Sequence, residues 1–162
     1  MNKIWHYIKS WFIEMGSPPL FFKWSSKILP WLISVSIIVF VTGLVWGLFY
    51  SPTDYKQGDV YRIIYIHVPS AILSQSIFMF MAICGFITMV WRVKISGMLL
   101  KSAAPIGATF TLLALITGSI WGKPTWGTWW VWDARITSTL ILFFIYAAII
   151  GLHSSIDNKT KA

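Results

Sequence analysis

Residues 102–133 read SAAPIGATFTLLALITGSIWGKPTWGTWWVWD, and they decide what kind of protein this chain forms. The run 102–122 has no Asp, Glu, Lys or Arg, and its length matches the roughly 20 apolar residues needed to cross a hydrocarbon core as helix. Directly after it, WGKPTWGTWWVWD (121–133) places five tryptophans within twelve positions and closes on a carboxylate. Gly122, Pro124 and Gly127 resist helix, so this tail is expected as an irregular aromatic loop at a membrane edge.

Three more charge-free runs lie at 28–50, 63–91 and 136–156. Only helices and closed barrels satisfy their backbone in lipid, and these runs lack the alternation of barrel strands. The fold expected is therefore all-α: a polytopic membrane bundle of four transmembrane helices, forming a single membrane domain over 1–162. Composition agrees, with 57% hydrophobic and only 11% charged residues, against about 25% charged in soluble domains. The first run is too long for a signal-peptide core and ends without a small-residue cleavage site, so it is expected as a retained span. Residues 2–15 read as an amphipathic helix on the membrane surface, with Trp5, Ile8, Phe12 and Met15 along one stripe. No internal repeat is present. Cys84, the single cysteine, falls mid-span and reads as a small buried hydrophobe.

Charge orients the bundle. Lys3, Lys9, Lys23, Lys27, Arg92, Lys94, Lys101, Lys159 and Lys161 fall on one side, and Lys56, Arg62, Lys123 and Arg135 on the other. The positive-inside rule makes both termini cytoplasmic and turns 51–62 and 121–135 outward. These scattered cations form no basic face, so a nucleic-acid partner is not expected; the bilayer is. His67, at the start of the second span, and the tryptophan loop then share the outer face.

Each element of that face has two readings. The tryptophans form an interfacial belt or a platform for a flat apolar ligand, since each ring buries 150–250 Å² when covered. His67 is a solvated interfacial histidine or a functional group, and imidazole is an axial ligand of haem iron. Asp133 caps the fourth span through the amides of residues 135 or 136. Arg62, Lys123 and Arg135 are topogenic charges or partners for ligand carboxylates. Haem fits the combination of indoles, imidazole and cations. Asp54, Asp59 and Asp133 are the only carboxylates on this face, and no nucleotide-binding glycine loop occurs, so neither hydrolysis nor group transfer is expected.

The segment WGKPTWGTWWVWDARITS (121–138) resembles the "WWD" signature of the haem-handling membrane proteins of cytochrome c biogenesis, most closely the haem exporter protein C (CcmC) family. SPTDYKQGDVYRIIYIHVPSA (51–71) is similar to the segment around that family's first outer histidine, and 102–124 to the span entering the signature. The resemblance implies that His67 is an axial haem ligand. It implies that Trp121, Trp126, Trp129, Trp130, Trp132 and Asp133 form the surface against the porphyrin, with Arg62 and Arg135 beside it. It further implies transient haem b cargo, presented to a periplasmic haem chaperone from the inner membrane of a bacterium or mitochondrion. The implied partners are a small single-span subunit and ABC transporter subunits. The family has six spans and a second outer histidine between the fifth and sixth, whereas this chain ends after span four. His6 and His153 lie on the inner side. A second axial ligand is thus expected from another segment, another chain or another donor. Three other roles compete: a structural or docking subunit, a degenerate copy that binds no haem, and a quinone-linked cytochrome b-like subunit.

Overall fold

The computed structural model describes residues 17–161, with side chains through residue 156; the surface helix expected at 2–15 lies outside the described residues. The described residues form an all-α bundle of four long helices: α1 (Pro18–Val45), α2 (Ile64–Trp91), α3 (Lys94–Trp126) and α4 (Ala134–Lys161). All four are long and apolar enough to cross a membrane. α1, α3 and α4 extend beyond their charge-free runs. At 1.5 Å per residue, the 33 residues of α3 reach about 50 Å against about 30 Å of hydrocarbon. Charge-free sequence marks only the part immersed in lipid, and a helix continues past the boundary wherever its backbone bonds do. Lys94 and Lys101 ride on the first turns of α3, and Lys123 on its last.

The elements start and stop for local reasons. Pro18 and Pro19 open α1, where a missing N–H costs nothing. α1 runs into a π-helical turn, Trp46–Tyr50, and a 3₁₀ turn, Asp59–Ile63, leads into α2. Arg92 adopts a left-handed conformation, φ 53°, and its amide donates to the Thr88 carbonyl at 3.0 Å. Only Val93 then separates it from α3, so α2 and α3 form a tight antiparallel pair. Ser96 and Thr88 both donate to the Cys84 carbonyl at 2.8 Å. The Cys84 thiol is free and buried, as its setting in sequence leads one to expect.

Lipid tails are as apolar as leucine, so helices in a bilayer are drawn together by close packing and hydrogen bonds rather than by water exclusion. α3 supplies a face of small side chains: Ala104, Gly107, Thr111, Ala114 and Thr117 are buried in steps of three or four residues. Tyr146 of α4, fully buried, lies over the first part of that face. Its ring occupies the space a Cβ at Gly107 would need. Its hydroxyl donates to the Ser74 carbonyl of α2 at 2.7 Å, and Phe78 meets it edge-on at 5.9 Å. One side chain thus ties three helices. α1 contributes no buried residue and joins the bundle at its end, where Gly47 admits the Tyr65 ring and Ser51 Oγ shares a 2.7 Å hydrogen bond with Tyr65 Oη.

Gly107→Ala should therefore lower stability by about 1–3 kcal/mol, the usual cost of overpacking. Thermal unfolding in detergent is the measurement. In a Tyr146→Leu background the same alanine should cost much less, and equal costs in both backgrounds would refute the contact.

Candidate functional site

His67 sits in the first turn of α2, two residues before Pro69. Its ring lies against the second part of the small-residue face of α3. His67 Nδ1 is 3.1 Å from Thr117 Oγ1, and a Cβ on Gly118 would fall 3.0 Å from His67 Cε1. Trp121 meets the imidazole edge-on at 5.7 Å. Thr117, Gly118 and Trp121 are neighbours on one helix face because residues three or four apart align.

A cavity of about 400 Å³ opens between α2, α3 and α4 beside this pair, within the ~300–1,000 Å³ range of small-molecule sites. Its walls include His67, Gln75, Gly118, Trp121, Trp126 and Arg135. Gln57, from the connection between α1 and α2, accepts a 2.7 Å hydrogen bond from Trp121 Nε1 and fixes that indole at the rim. Across the cavity the Arg135 guanidinium stands 5.5 Å over the Trp126 ring, a cation–π contact, while Nη2 donates to Asp133 Oδ2 at 3.0 Å. Asp133 Oδ1 accepts from the Ile136 amide at 2.8 Å, so this carboxylate is the N-cap of α4. The Ile136 amide first, and the Arg135 guanidinium second, hold its carboxyl below the usual carboxylate range.

The tryptophan segment is not one loop. α3 continues through Gly122 and Pro124 to Trp126, and Gly127, at φ +78°, ends it with its amide on the Lys123 carbonyl at 3.0 Å. A proline in the last turn removes one donor, and the Thr125 hydroxyl bonds the Trp121 carbonyl at 2.8 Å beside it. Trp121 and Trp126 are therefore helical and face the cavity. Trp129, Trp130 and Trp132 lie on the non-helical stretch beyond Gly127 and do not line it. Trp130 and Trp132 pack edge to face at 5.4 Å, Trp130 Nε1 is buried without a partner, and Trp129 and Trp132 are 57% and 75% exposed. Arg62 also stands apart from the cavity. It donates to the carbonyls of Leu48 and Ser51 at 3.0 Å each and lies 3.4 Å from Asp59, clamping the end of α1 to the entry of α2.

Sequence reading missed Gln57, Gln75, Thr117 and Gly118. Two left a signal: Gln75 follows His67 by two helical turns, and a glycine among larger residues marks close approach. Among the described residues no group of three His, Cys, Asp or Glu is placed to hold a metal ion. His153 lies nineteen residues along α4 from Ala134, about 29 Å away. A single imidazole in an aromatic cavity suits a metal that arrives with its other donors already in place, as in a porphyrin.

The family model described as "Heme exporter protein C", CcmC, matches residues 11–162. Proteins named "Heme exporter protein C" are 47% identical in Escherichia coli strain K12, 46% in Paracoccus denitrificans and 43% in Haemophilus influenzae. Each match covers 149 residues, 92% of this chain and 61% of the relative. The chain thus spans about three fifths of the length of those relatives.

A depressed carboxyl pKa stabilises the folded state above the unfolded value of about 3.9, and that contribution is lost as pH falls through the lower folded value. Asp133→Asn keeps a capping acceptor with nothing to titrate. The thermal midpoint of the wild type should therefore drop relative to Asp133→Asn as pH is lowered from about 5 to about 3. Parallel profiles would show that the charge adds nothing to the cap.

Proposed function

Because the chain belongs to the haem exporter protein C family, we propose that it binds haem in the cavity beside His67 and hands it on as cargo, without bond-making chemistry of its own. His67 is the axial ligand to iron, through Nε2. Trp121 and Trp126 supply aromatic surface to the macrocycle, and Arg135 supplies a cation for a ligand carboxylate. Charge counting turns this end outward from the inner membrane, with both termini cytoplasmic. Haem b therefore leaves toward a periplasmic haem chaperone, in a complex with a small single-span subunit and ABC transporter subunits.

The observation that carries this reading is the meeting of His67 with Trp121 on a cavity wall, at 5.7 Å, from positions fifty-four residues apart in sequence on adjacent helices. The exposed indoles of Trp129 and Trp132 do not line that cavity. They favour a second role for the segment beyond Gly127, as a docking surface for the acceptor protein, because tryptophan is enriched at binding hot spots.

Haem added to the detergent-purified chain should give a Soret band that His67→Ala weakens at least about tenfold or displaces. Equal haem content and an unmoved Soret position in the two proteins would overturn the axial role.

A further inference from the structure

Thr117 is buried, and its hydroxyl is committed before the histidine is considered. It lies 2.7 Å from the Leu113 carbonyl and 3.3 Å from the Ala114 carbonyl of its own helix. A hydroxyl has one hydrogen, and carbonyls only accept. That hydrogen is spent on the helix backbone, so toward His67 Nδ1, 3.1 Å away, Thr117 Oγ1 can act only as an acceptor. Nδ1 must then carry the ring proton. In neutral imidazole the other nitrogen is left as the lone-pair donor; the Ala114 carbonyl, on the same helix as Thr117, also accepts a hydrogen bond from the ring. Gly118 completes the seat by letting the ring lie against the helix backbone, where a Cβ would fall 3.0 Å from Cε1.

We infer that Thr117 is a positioning residue: the chain Leu113 carbonyl–Thr117 hydroxyl–His67 Nδ1 fixes the imidazole as the tautomer whose Nε2 is free to bind a metal carried into the cavity. Free imidazole in water populates both tautomers, so without this contact part of the population presents a protonated Nε2 that cannot ligate. The usefulness of the device rests on the haem reading; the tautomer itself does not.

Two measurements separate them. In ¹⁵N-histidine NMR of the ligand-free chain in detergent, with His67→Ala identifying the signals, wild type and Thr117→Ser should show a protonated Nδ1 and a bare Nε2. Thr117→Val, close in shape but lacking the hydroxyl, and Thr117→Ala as its smaller counterpart, should move His67 toward the Nε2-protonated form. In haem titrations, Thr117→Val should weaken binding about 10–100-fold, the usual cost of removing a partner behind a metal ligand, with a shifted Soret band, and Thr117→Ser should restore both. An unchanged tautomer in folded Thr117→Val and Thr117→Ala overturns the inference. So does a changed tautomer with undiminished haem affinity where His67→Ala abolishes binding. If the tautomer moves as expected but His67→Ala binds haem like the wild type, the tautomer assignment stands and the haem reading falls.

Discussion

The bundle depends on a constraint that lipid imposes: helices with no water to flee from must touch closely, and only small side chains let them. In this chain the constraint is met along one face of α3. Ala104 and Gly107 leave room for the Tyr146 ring, whose hydroxyl then reaches across to the Ser74 carbonyl of α2. A polar tyrosine is tolerated at the centre because its hydrogen bond is complete and its ring fills the gap that the glycine opens.

The same face serves the candidate site. Three turns further along, Thr117 and Gly118 take the place of Ala104 and Gly107, and an imidazole takes the place of the phenol ring. Packing and function thus share one device, a helix surface stripped of bulk so that an aromatic ring from a neighbour can lie on it. The difference lies in what the ring does next. Tyr146 spends its polar atom inside the protein, whereas His67 spends one nitrogen on Thr117 and keeps the other for the cavity. Arg62 and Gln57 act from the connection before α2, one clamping α1 to the bundle and the other holding Trp121. Arg62 belongs to the frame of the site, while Gln57 also lines the cavity.

The tryptophans divide by backbone conformation. Trp121 and Trp126 stand on helix and present their faces at an angle set by α3, so they form fixed walls. Trp129 and Trp132 follow a left-handed glycine and lie largely exposed. Five indoles that read as one cluster in the sequence are two surfaces in space, and the proposed haem site and the proposed docking surface inherit that division.

The sequence by itself determined the helical class, the number of apolar helices and the N-cap at Asp133. Charge is too costly in hydrocarbon to be placed at random, and a cap is made within three residues. It also placed His67 and the tryptophan segment at one end, since successive membrane helices alternate in direction; that His67 and Trp121 touch there is a matter of tertiary structure. Only the tertiary structure decided that α3 runs on through Pro124, that Arg62 turns toward α1, and that Thr117 and Gly118 seat the histidine. Those outcomes depend on how far each helix is rotated about its axis. Helices apolar on every side carry no stripe from which that rotation can be read, so it emerges only when small residues on one helix find rings on another.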